Sequence, residues 1–163
     1  MIKKTLLTAL TVASLTFALS VPAFAKSYIT SWHLVDSGKH LDYAGDSIYM
    51  SHINTGASIW NGYKSGVIRP DTISTIEDVY VSDINIANGN TGLTYPSGKI
   101  EMNKFYLKDS TSTQRTNTAT HELGHALGLA HSTSSDIMGP SQTSITTLSA
   151  NDKESYDESY KRY

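Results

Sequence analysis

The sequence predicts an α+β domain, and three observations carry that reading. Short stretches rich in alternating, β-branched and aromatic residues fill the first two thirds of the chain. A segment with histidines four residues apart and an otherwise apolar character, Thr120 to His131, then carries a helix that stops at Gly128. The C-terminal "LSANDKESYDESYKRY" opens on Ser149 with Asp152 three residues later, the pattern of a helix cap, and places Lys161 and Arg162 late, where the helix dipole favours them. No internal repeat or low-complexity linker divides the chain, so one domain is expected.

The chain opens "MIKKTLLTALTVASLTFALSVPAFAKS". Two lysines, an apolar run from Leu6 to Leu19, Pro22 and the small-x-small Ala23-Phe24-Ala25 form the pattern of a secretory signal peptide, residues 1–25, cleaved after Ala25. The run is interrupted by Thr and Ser and falls short of the roughly 20 apolar residues of a spanning helix. The expected product is a secreted, extracellular domain over residues 26–163, of ordinary size for a single core.

Each element follows from local pattern. Tyr28–Val35 alternates and predicts a strand. Asp46–Tyr63 carries Ile48, His52, Ile59 and Trp60 near helical spacing and predicts a helix, with Gly56 weakening it. Asp78–Ile86 alternates as a strand, "NTGLTYPSG" is a short strand ending in a turn, and Lys99–Leu107 alternates before blurring at Phe105 and Tyr106. The tyrosines 156, 160 and 163 fall on one helix face and are expected to pack against the sheet.

Composition narrows the function classes. The formal net charge is −2, and loss of Lys3 and Lys4 with the leader makes the domain more acidic. With no basic run, nucleic acid and anionic membrane are poor partners. The absence of cysteine removes disulfides, thiolate metal sites and a cysteine nucleophile. Nothing points beyond a monomer.

Three of the six histidines lie in "HELGHALGLAH". His121 and His125, four apart, share a helix face about 5–6 Å apart at Cβ and can bind one zinc ion through imidazole nitrogen. Glu122 stands about 100° round the axis, beside the metal without ligating it, where a general base for attacking water belongs. A catalytic zinc needs a third protein ligand and an open position. On a continued helix His131 would lie about 80° off that face and roughly 15 Å along the axis from His121. Gly128 solves this: a glycine with positive φ ends the helix and returns His131 to the metal. A single histidine on an apolar helix face is ordinarily a core residue. Here three histidines, a glutamate and a glycine would all have to coincide, and burying them without a compensating ion is costly.

These residues fit HExxHxxGxxH at every fixed position, and the segment resembles the metzincin metallopeptidases. Met138 in "SSDIMGP" looks like the methionine turn those enzymes carry beneath the zinc. Ser132 after the third histidine, the "LSANDKESYDESY" end helix and "SIWNGY" are similar to the matrixin branch. The resemblance implies a twisted mixed sheet of about five strands with three helices, one catalytic zinc held by His121, His125 and His131, and Glu122 as the base. It implies an endopeptidase in which zinc-activated water attacks a protein or peptide substrate held extended along the "GLTYP" strand.

The departures are specific. Without cysteine, the latency device of the family's pro-segment is not expected. No histidine lies between Asp78 and Leu107 for a second zinc, and His33, His40 and His52 read as structural or surface residues. Asp83, Asn85 and Asn88 are oxygen donors compatible with calcium, but their spacing matches no calcium loop. Two other readings compete: a secreted zinc-binding module that engages a protein without cutting it, and a zinc hydrolase of a non-peptide amide. Glu122 discriminates against the first, because a mere binder has no need of that carboxylate.

Overall fold

A computed structural model describes residues 25–163 of the chain. All of the predicted leader except Ala25 therefore lies outside the described residues. The elements are β1 (Leu41–Gly45), α1 (Met50–Asn61), β2 (Ile68–Pro70), β3 (Val79–Ile84), β4 (Gly92–Tyr95), β5 (Lys99–Asn103), α2 (Lys104–Leu107), α3 (Ser112–Ala126) and α4 (Ala150–Tyr160). The α+β class and the mixed five-stranded sheet are as expected, with α2 a single extra turn.

The sheet order is β2-β1-β3-β5-β4. β1 runs parallel to β2 and β3, β3 parallel to β5, and β4 antiparallel to β5 at the edge. Alternation decides the faces. Leu41, Tyr43, Val79, Val81, Ile100 and Met102 form one core with Ile53 and Trp60 of α1 and Leu123 of α3, while Tyr80 and Lys99 face outward. Gly56 has a packing reason: a Cβ there would meet the Thr120 backbone at 3.0 Å, so it is where α1 passes closely over α3.

β1 and β2 escape a reading by pattern. β1 is "LDYAG", whose Asp42 is buried only because Arg69 of β2 binds it through two nitrogens at 2.8 and 2.7 Å. β2 ends in Pro70, which only an edge strand tolerates. Between Lys99 and Leu107, the blurring of alternation marks a real change from β5 into α2, capped by Asn103.

Two expectations are corrected. Tyr28–Val35 joins no sheet; its one bridge is Ile29 with Leu129. Its backbone instead satisfies the open carbonyls at the end of α3, Thr30 N–H donating to Gly128 O (2.9 Å) and Leu34 N–H to Ala126 O (2.8 Å). A strand-like composition here serves a strap rather than a ladder. The tyrosine face of α4 packs on helix and strap, not on the sheet. Tyr156 meets Trp60 edge-on at 5.4 Å, and Tyr163 meets His33 at 4.7 Å.

Candidate metal centre and active-site cleft

Helix α3 begins with a reciprocal cap: Gln114 N–H donates to Thr111 Oγ1, and Thr111 N–H to Gln114 Oε1. It ends as the glycine predicts. Gly128 has φ +88°, its N–H donates to His125 O (2.8 Å), and Leu129 N–H donates to Gly124 O (3.0 Å). The chain then doubles back. Ala130 N–H donates to Tyr28 O at 3.0 Å and Ser132 N–H to Met138 O at 2.8 Å, so His131 is pinned on both sides.

The result is convergence. His131 Nε2 lies 3.2 Å from His121 Nε2 and 3.2 Å from His125 Nε2. Tetrahedral zinc with imidazole nitrogens at 2.0–2.1 Å would set them about 3.3 Å apart. The other ring nitrogens are committed: His121 Nδ1 donates to Ile137 O and His125 Nδ1 to Leu129 O, each at 2.8 Å. Those bonds leave both Nε2 lone pairs aimed at one point. Three such nitrogens in contact cannot all be satisfied by hydrogen bonding to each other, and the donor set fits a zinc ion. Burial, joined in His125 by the neighbouring His121, holds both imidazoles down to about 4, so they stay neutral and able to ligate at neutral pH.

Glu122 is buried at the side of this triad. The hydroxyl of Thr94 in β4 shares its one proton between Glu122 Oε2 at 2.7 Å and the Glu122 backbone carbonyl at 2.9 Å. Burial raises its carboxyl above the usual range, opposed by His125 and the Thr94 hydroxyl. Gly92 makes room: a Cβ there would stand 2.7 Å from Glu122 Oε1 and 2.8 Å from its Cγ. The sequence places Gly92 and Thr94 in the "GLTYP" strand but does not tie them to Glu122, since no local pattern links β4 to a residue about thirty positions on.

Beneath the histidines, Met138 is fully buried. Its Sδ would lie 2.3 Å from a Cβ on Gly124, so the glycine between the two helix histidines admits the methionine turn. Asp152, in the first turn of α4, accepts from Ile137 N–H (3.0 Å), Met138 N–H (3.2 Å) and Ser149 N–H (2.9 Å). One carboxylate both caps α4 and holds the turn whose Ile137 carbonyl orients His121.

The triad and Glu122 line a cleft of about 270 Å³, rimmed by Gly92 and Leu93 on one side and Gly139–Gln142 on the other. The rim before β4 is organised by the fully buried Asn103. Its Nδ2 donates to Ile86 O (2.7 Å), Asn90 O (2.8 Å) and Asn88 Oδ1 (3.1 Å), and its Oδ1 accepts from Ile86 N–H (3.2 Å). Asp83 serves elsewhere, accepting from Ser47 Oγ and Ile48 N–H, so the oxygens of Asp83 and Asn88 belong to separate hydrogen-bond sets. His52 bonds Thr116 Oγ1 at 2.9 Å, and neither it, His33 nor His40 joins the triad. The carboxylates of Asp36, Asp42 and Asp78 also gather, with the Arg69 guanidinium paired to Asp42 among them.

Comparison with known proteins agrees with this geometry. The matrixin family profile matches residues 35–161. No curated protein matches the chain. Among solved structures, archaemetzincin from Methanopyrus kandleri is similar in fold, with a TM-score of 0.55 at 17% identity over 78% of this chain and 99% of that one. The GM1-bound form of the ECX AB5 holotoxin aligns at a TM-score of 0.45 and 18% identity, over 64% of this chain and 59% of that one.

Proposed function

The chain belongs to the matrixin family of zinc metallopeptidases, and from that premise we propose that it is a secreted endopeptidase with His121, His125 and His131 as zinc ligands and Glu122 as general base. The observation that carries the reading is the meeting of three Nε2 atoms beside a buried carboxylate, in a cleft open along an edge strand. Zinc bound there supplies a Lewis acid that polarises a carbonyl and acidifies water.

The protein's own groups do the rest. β4 is the terminal strand of the sheet, and its free edge offers backbone donors and acceptors to an extended peptide. With Oε2 held by Thr94, Glu122 is fixed in one rotamer and keeps Oε1 for the substrate side. That carboxylate takes the proton of the attacking water and passes it to the leaving amine. Burial raises the Glu122 carboxyl above the usual range, the direction that favours its later role as the acid. Export by the N-terminal leader fits a protease that would otherwise act on its producer.

The test is the full chain with and without Glu122→Ala, assayed on an unfolded protein with zinc measured in the same samples. The parent should hold one zinc and cut, and the variant should hold zinc and not cut. If both hold zinc and neither cuts any unfolded chain, the cleft is a binding site rather than a protease.

A further inference from the structure

On the Glu122 side the cleft is lined by uncharged polar residues, Thr91, Asn117, Thr118 and Gln142 among them. Since Glu122 delivers the proton to the leaving amine, the residue contributing that amine lies on its side of the triad. Asn117 and Thr118, one helical turn before His121 and Glu122 on α3, line the cleft as well. Gln142, from the segment after Met138, bridges this side. Its Nε2 donates to Thr118 Oγ1 (2.8 Å), its Oε1 accepts from Ser110 Oγ (3.1 Å), and Thr118 Oγ1 reaches Thr91 Oγ1 at 3.4 Å. Asn117 holds the bridging segment in place, accepting from Thr143 N–H (2.9 Å) and donating to Ile145 O (2.7 Å).

Resting on the peptidase reading, we propose that this side selects a short, uncharged, hydrogen-bonding side chain on the residue after the scissile bond, with Gln142 and Thr118 as specificity-determining residues. The bridge limits depth, because three chain segments are tied across the floor. Its chemistry selects for donors: a hydroxyl or carbonyl oxygen that accepts one bond keeps a second lone pair, and Gln142 Oε1 and Thr118 Oγ1 present theirs at the floor. Serine, threonine or asparagine can use them. A leucine or phenylalanine would cover them with hydrocarbon, which is unfavourable. Among the described residues no lysine or arginine lines the cleft, so an acidic side chain finds no cationic side chain there and meets the Glu122 carboxylate.

The test uses the full zinc-loaded chain and peptides identical except at the residue after the cut, which is Ser, Asn, Ala, Leu, Phe or Asp. Cleavage position and kcat/KM are read by mass spectrometry. Ser and Asn should exceed Leu, Phe and Asp by about tenfold or more. Thr118→Val and Gln142→Leu replace acceptors by hydrocarbon, and each should move the Ser-to-Leu ratio about tenfold toward Leu, with zinc content and Tm recorded alongside. A parent that favours Leu or Phe, or is indifferent, overturns the proposal, as do folded variants that keep the parent's ranking. If a variant fails to fold, the parent's ranking alone decides. Failure to cut any peptide would instead remove the peptidase reading and the proposal with it.

Discussion

The carboxylate of Asp152 accepts the backbone N–H of Met138 at 3.2 Å and that of Ile137 at 3.0 Å, fastening α4 to the turn that lies under the three histidines. Because the Ile137 carbonyl in turn accepts from His121 Nδ1, a residue on the last helix sets the orientation of an imidazole on α3.

Asp152→Ala should therefore cost both stability and metal. Stranding these buried N–H groups costs about 3 kcal/mol or more in total, and loss of such outer support weakens metal affinity by about 10–100-fold. Ser149→Ala removes the cap and a contribution to Asp136 but no bond to the methionine turn, costs about 1 kcal/mol and should leave zinc affinity unchanged. Thermal melts and zinc titration of the two variants separate the roles. Equal zinc loss in both would mean that Asp152 acts only through the cap.

Gly92→Ala should lower activity sharply without removing zinc. The added methyl would sit 2.7 Å from Glu122 Oε1, and the carboxylate is the group that must move. A fall of about 100-fold in kcat, the scale of a lost general base, is expected, with parent-like zinc content and Tm. A fully active variant would show that Glu122 does not need its observed position.

Gly128→Ala should weaken zinc binding and stability together. Its φ of +88° is strained for any side chain, and a Cβ would meet Ser159 Oγ and Arg162 Nη2 at 2.6 Å. The strain is about 1–3 kcal/mol, and it falls on the turn that returns His131. Gly66→Ala, with φ +77° and nothing within 4 Å, carries the conformational penalty alone and should leave zinc affinity as in the parent.

Stability of the zinc-free chain should fall with acid in a defined window. His121 and His125 are held at about 4 by burial, against 6.5 when unperturbed. Below about 6.5 the unfolded chain therefore takes up protons that the folded chain refuses, and stability drops as pH falls toward 4. Above 6.5 their contribution is complete. Asp136 acts lower. Burial alone would raise it, but hydrogen bonds from Asn151 and Thr133 outweigh burial and hold it at about 2, so its contribution is lost only as pH falls from 3.8 through 2. Melts of chelator-treated protein from pH 8 to 4 test this, and a His121→Gln, His125→Gln double variant should show the shallower decline. An unchanged slope in that variant would place the acid sensitivity elsewhere.

The convergence of the three histidines was legible because its physics is local. Residues four apart share a helix face, and Gly128 must stop the helix for His131 to return; both statements need only the helix repeat. The α4 cap was legible for the same reason. Thr94, Gly92, Asn103 and Gln142 were not, because each acts on residues remote in sequence or in a neighbouring loop. Nor was β1, which is too short and too polar to announce itself, and whose Gly45 is required because a Cβ would meet Val81 O at 2.2 Å.

Helix periodicity alone thus named the three imidazoles that converge, and the glycine that lets them. Tertiary structure decided what surrounds them. It turned Tyr28–Val35 from a strand into a strap on the end of α3, set the Asp152 carboxylate under the methionine turn, and brought Gln142 to Thr118 in the cleft. The physical reason is one of range: helix geometry fixes neighbours within a turn or two, whereas hydrogen-bond partners and buried faces are assigned only when distant segments pack.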